Sequence, residues 1–375
     1  MFFALDFLKA YNCFVSYLQE LLMTGNQEPA MTKKDFSLTV CQVISALAVM
    51  MLHVNECYWV FSSKHQYWFS ANVIESVFYF AVPVFFMITG ITLADYKERY
   101  STKTFFKKRI EKTLIPYIVW SILAVVFRLA TGTLRTEDIT LDWVIKSLIR
   151  TDNIIDIFWF FGALFVFYLL MPLIASIKKE HKLTVFKYLI IILFVVNITF
   201  FYILRLYGPE MYMFDSVDTG LGNIIFVFLG YYIYKRPLST LDKIVIYILA
   251  VLGLLTHMVG TYILSFRSGQ IDMLFKGYSN FPSILYSVGI FVLLKDIAVK
   301  IGNIKWMKKF FEILGKYTFA VYLLHWFIIQ TTKQLIDINP ISLVYRLLFP
   351  LLIYAVIIPV TWCLRKIPVI RKIVP

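Results

Sequence analysis

Five histidines occur in the 375 residues, and three of them, His53, His257 and His325, interrupt long apolar runs. Imidazole titrates near neutrality, and an ionisable side chain at membrane depth is costly enough to read as a functional site by default. His53 sits in the run Leu38–Trp59, with Lys33 and Lys34 before it and Asn55 and Glu56 inside its far end. If Leu38 marks the cytoplasmic edge, His53 lies roughly 22 Å along the helix, in the outer half of a bilayer. His325 falls in the middle of Gly315–Ile329. His257, closely followed by Gly260, also fits a bond to a neighbouring helix. Glu75 stands near the outer start of the second apolar run, as a reacting carboxylate or an interfacial one. Lys107, Lys108, Arg109 and Lys112 cluster where the third run begins, which suits phosphate binding and is also a topology signal. The remaining histidines, His65 and His181, lie in polar loops.

The elements that must position these groups are membrane spans. The chain is 60% hydrophobic and 16% charged, with a mean hydropathy of +0.74, and a soluble domain carries about a quarter charged residues. Formal net charge is +14. In a soluble protein that balance would suggest nucleic acid, but here the placement of Lys and Arg in loops explains it better. After Leu38–Trp59 we read nine further spans, with cores near 71–94, 113–130, 156–176, 186–206, 219–234, 244–264, 281–299, 314–332 and 342–363. With both termini cytoplasmic, 27 of the 37 Lys and Arg fall inside and every inside loop is net basic. The expected architecture is therefore all-α, a polytopic, multi-pass cell-membrane protein of about ten spans. Residues 1–30 repeat Phe7, Leu8, Tyr11, Phe14, Val15, Leu18, Leu21 and Leu22 on one helical face, which reads as an amphipathic interfacial segment before a membrane domain at 31–375. Met31 is an alternative natural start. The four cysteines have no metal or redox spacing, so neither a metal site nor a disulfide framework is expected.

Ordered stretches carry a resemblance. Val82-Pro83-Val84-Phe85-Phe86-Met87-Ile88-Thr89-Gly90 resembles the VPxFFxxSG signature of acyltransferase family 3, polytopic membrane enzymes that acylate sugars and other surface molecules. Phe106–Trp120 is similar to the family's basic approach to the third span. Trp159-Phe160-Phe161 to Pro172, Phe228–Tyr231, and Leu314-Gly315-Lys316-Tyr317-Thr318 through Tyr322 to His325 match in order. The resemblance runs from about residue 36 to 365. It implies transfer of an acetyl or other short acyl group from acyl-CoA, with acetyl-CoA as the donor substrate, to a hydroxyl of a polysaccharide or lipid-linked sugar. It implies His53 as general base, Gln42, Glu75, Trp159 and His325 at the substrate, and Lys108, Arg109 and Lys112 at the coenzyme phosphates. The family's first-span arginine is Gln42 here, eleven residues before His53 and on the same helical face. It keeps a hydrogen-bond donor and loses the charge. Ile157 replaces a histidine the family often has before the tryptophan, and Lys112 replaces one of its paired arginines, losing the bidentate fork. Trp159 also fits an interfacial anchor or pocket wall. Pro83 and Gly90 read as shaping the second helix. The competing classes are a transporter or flippase for a lipid-linked glycan or small solute, and an inactive relative kept as an assembly partner.

Overall fold

The computed structural model describes residues 35–196, 221–368 and 370–374. The expected amphipathic segment, both candidate start methionines and the second half of the fifth expected span lie outside the described residues. Every regular element among the described residues is helical.

Helix α1 (Phe36–Val54) is the hub. The Asp35 carboxylate caps it by accepting from the Ser37 N–H at 2.8 Å. It stops at Asn55, five residues short of the Leu38–Trp59 run, and a 3-10 turn carries Glu56–Trp59 away. The next apolar run is two helices, α2 (Tyr67–Phe78) and α3 (Ala81–Leu93). Pro83 has no N–H to give the Tyr79 carbonyl, and its ring crowds that carbonyl, so the break falls at Tyr79–Phe80. The third run is likewise divided. Helix α4 (Thr102–Arg109) passes through a π turn, Ile110–Leu114, into α5 (Ile115–Ala130), where Pro116 cannot bond the Lys112 carbonyl. Then follow α6 (Leu141–Ile149), α7 (Trp159–Ile174), α8 (Lys179–Phe194), the short α9 (Ile224–Lys235) and α10 (Thr240–Leu255). Helix α10 continues through a second π turn, Thr256–Gly260, into α11 (Thr261–Ser268). The chain ends with α12 (Phe281–Gly302), α13 (Lys305–Gly315), α14 (Thr318–Leu335) and α15 (Leu343–Leu364), before a last turn at Ile370–Ile373.

Six of these helical stretches are long and apolar enough to cross a membrane: Phe36–Val54, Tyr67–Glu98, Thr102–Ala130, Asp156–Ile174, Thr240–Ser268 and Leu343–Leu364. The eighth and ninth expected spans coincide with α12 and α14, which are not among those six. Helix α12 carries Lys295, Asp296 and Lys300, and α14 ends on Gln330, Thr331, Thr332 and Lys333.

Helix α1 touches α2, α3, α12, α13, α14 and α15, so its polar face is held from several sides. We call the end where α1 begins the lower end of the bundle and the end where it stops the upper end. Helices α3 and α9 cross at backbone contact. A Cβ on Gly90 would lie 2.0 Å from the Val227 carbonyl oxygen, and one on Gly230 would lie 2.4 Å from the Met87 Cα. Small residues at such crossings let two backbones meet, which packing in a bilayer relies on. Gly90→Ala should destabilise the bundle by about 1–3 kcal/mol, read as a lower Tm of the purified protein in detergent. An unchanged Tm would overturn the contact.

Candidate active site

One cavity of about 880 Å³ runs through the bundle beside α1. Gln42, Val49 and His53 face it from α1, at the spacing that keeps side chains on one face of a helix, and Glu56 faces it from the turn that follows. Gln42 to His53 covers roughly 16 Å of helix axis, and Glu56 lies beyond it, so the cavity joins the lower to the upper part of the bundle.

The lower part is cationic. The π turn after α4 brings Arg109, Lys112 and Thr113 to the wall, opposite Thr89 and Thr92 of α3 and Thr318 of α14. The Arg109 guanidinium lies over the Tyr168 ring at 5.4 Å and the Phe105 ring at 5.8 Å. Its Nε has no hydrogen-bond partner, and it makes no ion pair among the described residues. Lys108 points elsewhere, its ammonium 4.0 Å from the Tyr100 ring centre and outside the cavity lining. Lys107 pairs with Glu111 on the exposed side of the helix at 3.9 Å.

His53 occupies the wall between the two ends. The His325 ring lies beside it, ring centres 5.1 Å apart. His325 is fully buried and stands behind the wall rather than in it. Its Nδ1 is 3.0 Å from the Val321 carbonyl. Only a protonated nitrogen is stable against a carbonyl oxygen, so Nδ1 carries the hydrogen and Nε2 is left as an acceptor. That Nε2 has no partner among the described residues. Tyr322, one turn before His325, is in the wall and donates to the Ile157 carbonyl at 2.7 Å.

The upper part is built on a buried ion pair. Lys276 donates to Glu75 Oε1 at 2.6 Å, with the two side chains 1% and 5% exposed. The ammonium also lies 4.1 Å from the Tyr79 ring centre, 4.8 Å from Trp59 and 4.9 Å from Tyr58, a cation–π cage. Burial pulls the Lys276 ammonium below the ordinary lysine range, and Glu75 opposes that pull. Tyr79, Tyr278 and Trp159 form a ladder of stacked rings, with centres 4.3 Å and then 5.4 Å apart. Tyr79 is there because Pro83 breaks the helix at it. His257 is buried edge-on to Tyr79, 4.8 Å between centres, and does not reach the cavity. Among the described residues no group of three or more His, Cys, Asp or Glu is placed to hold a metal ion.

Of the residues singled out by sequence, Gln42, His53, Glu75, Trp159, Arg109 and Lys112 meet in one cavity, His325 backs it, and Lys108 lies outside it. Sequence reasoning passed over Lys276, Asp156 and Tyr278, and met Tyr322 only within the motif that runs to His325. Lys276 is the one basic residue between Arg267 and Lys295, a signal that counting it as a loop cation concealed.

Residues 35–366 match the family model described as an acyltransferase domain, and the chain belongs to that family. With its apolar helices, this makes it a membrane protein of the acyltransferase class. In comparisons with curated proteins and with solved structures, nothing matches.

Lys276→Met leaves the Glu75 carboxylate buried without its cation, and breaking one side of a buried pair costs about 3–5 kcal/mol. The double variant Glu75→Gln/Lys276→Met should recover most of that loss, read as Tm. Additive losses in the double variant would mean the two side chains do not act as a pair.

Proposed function

We infer that the protein is a membrane-embedded O-acyltransferase, moving an acetyl or other short acyl group from acyl-CoA to a hydroxyl of an envelope or exported polysaccharide. In this reading it is a multi-pass cell-membrane protein of about ten spans with cytoplasmic termini, so the lower end faces the cytosol. The observation that carries the reading is the single cavity, lined by unneutralised cations below, an imidazole between, and a polar aromatic chamber above. Arg109 and Lys112 suit the phosphates of a coenzyme A thioester, whose extended arm then rises along the Gln42 face of α1 towards His53.

The chemistry needs a base, a leaving group and a way to return the proton. His53 takes the acceptor hydroxyl proton as the oxygen bonds to the thioester carbonyl carbon. The tetrahedral intermediate collapses as the C–S bond breaks, and the imidazolium returns the proton to the departing thiolate. His325, packed ring against ring at 5.1 Å, holds the neighbouring imidazole in place. Gln42 contributes a neutral amide donor where the wider family has a cation, so the phosphates are left to Arg109 and Lys112. The acyl group travels either directly between the two bound substrates or by way of the enzyme.

Purified protein given radiolabelled acetyl-CoA should release free coenzyme A and pass label to glycan. A transporter would cleave no thioester. His53→Ala should lower kcat by about 10²–10⁴-fold with the Tm retained, and wild-type rates in that variant would remove the base. Arg109→Ala should raise the KM for acetyl-CoA about tenfold and leave kcat within a few-fold, because a phosphate contact remote from the reacting carbonyl contributes to binding in both ground and transition states.

A further inference from the structure

The upper cavity has a carboxylate that the reaction above does not use. Three acids line this part, Glu56, Glu75 and Asp156, against one cation, Lys276. Glu75 is neutralised by Lys276 at 2.6 Å, and Glu56 is paired with Lys333. Asp156 stands apart. Its Oδ1 accepts the N–H of Ile157 at 2.8 Å. It makes no ion pair among the described residues, and its side chain is exposed. The chain holds it there because a 3-10 turn, Asp156–Phe158, leads directly into α7, whose first residue, Trp159, belongs to the aromatic wall.

Asp156 also lines a second cavity of about 340 Å³ between the upper ends of α5 and α14. Gln330 and Gln334, one turn apart on α14, present amides there, with the Trp326 ring beside them. The cation in that lining, Arg128, donates to the Ile154 carbonyl at 2.6 Å and the Thr133 carbonyl at 3.3 Å. The neighbouring Asp152 is bridged to Arg150 at 2.8 Å. The second cavity thus offers amide and aromatic contacts beside a guanidinium engaged with backbone carbonyls, and it shares with the main cavity one carboxylate, Asp156, with no lysine or arginine bonded to it.

We propose that the second cavity is the approach for the acceptor, that it takes an uncharged, hydroxyl-rich sugar chain, and that Asp156 rejects acidic sugars at the passage to His53. The inference rests on the acyltransferase reading, since it names the acceptor class of that same site. Amide side chains exchange hydrogen bonds with hydroxyls in both directions, and aromatic surface covers the apolar faces of a sugar ring. A uronate or other carboxylate passing Asp156 meets like charge, and such juxtapositions discriminate between partners. The same carboxylate accepts a hydrogen bond from a neutral hydroxyl, so it admits one class as it excludes the other. The cationic lower end reinforces the division, since Arg109 and Lys112 are gathered there, where the donor's phosphates lie.

The test uses the full-length protein in detergent with two oligosaccharides that differ only in a carboxylate, a glucose-type and a glucuronate-type chain. Wild type should favour the neutral chain by about tenfold or more in kcat/KM, chiefly through KM. Asp156→Asn keeps the Oδ1 acceptor for the Ile157 N–H and should bring that ratio close to one. Asp156→Lys should reverse it. Binding followed by quenching of tryptophan fluorescence, without acetyl-CoA, should show the same order. If the protein cleaves no thioester, the acyltransferase reading fails while the binding order still tests acceptor choice. Equal or tighter binding of the acidic chain by wild type, or an unchanged ratio in Asp156→Asn, would overturn the proposal.

Discussion

A bilayer supplies no water to a stranded polar group, so each one at membrane depth must find a partner or face a cavity. Helix α1 obeys this constraint where its larger polar side chains meet the cavity. Its apolar positions are buried against six neighbouring helices, and Gln42 and His53 turn towards the cavity. What fixes the upper end of α1 is a second polar group, Arg346 of α15. It is 1% exposed, and donates to Asn55 Oδ1 at 3.1 Å, Ser70 Oγ at 2.7 Å and the Ile341 carbonyl at 3.1 Å. Asn55 in turn donates to the Ala71 carbonyl at 2.8 Å. This chain of bonds ties α15, α1 and α2 together two residues beyond His53, and it engages both terminal nitrogens of a guanidinium that makes no ion pair among the described residues. The imidazole is therefore set at the end of a stiff, anchored helix.

Helix breaks perform the complementary task of opening the wall. Pro83 frees the segment around Tyr79, and Pro116 accompanies the π turn that turns Arg109, Lys112 and Thr113 inward. The second π turn is satisfied from outside its own helix, since Asn72 of α2 donates to the Met258 carbonyl at 2.8 Å. A straight span bonds all its interior backbone groups to itself. These broken spans instead leave backbone and side chains free to point at the cavity, where irregular backbone is tolerated at membrane depth.

These features differ in how far they can be read from the chain. The Gln42–His53 spacing lies within one helix, so periodicity alone puts both residues on a common face. The arrival of Arg109 and Lys112 on the same cavity depends on a break that Pro116 makes visible. Lys108 was indistinguishable from them by composition, and only the rotation of α4 sends it towards Tyr100. The stop of α1 at Asn55 was hidden because Cys57, Tyr58 and Trp59 continue the apolar run while turning as a 3-10 helix. Lys276 and Asp156 were the least legible. Each sits in a connection between helices, and no periodic pattern says which part of a bundle a connection folds over.

The Glu75–Lys276 pair shows why stability alone does not account for the upper chamber. Withdrawing both charges from water costs several kcal/mol per ion, and the attraction between them in a buried setting roughly offsets that cost. Two apolar side chains of similar size would fill the space at least as well. They would not keep Tyr79 under an ammonium at 4.1 Å, and so would not hold the head of the ladder that continues through Tyr278 to Trp159. Nor would they leave the chamber with a charge so nearly balanced that one exposed acid sets its sign. In the reading advanced above, the pair is a spacer that is neutral as a whole. It orders the aromatic wall and keeps a strong cation out of reach of the acceptor, so the attraction for anions stays at the opposite end of the cavity with Arg109 and Lys112.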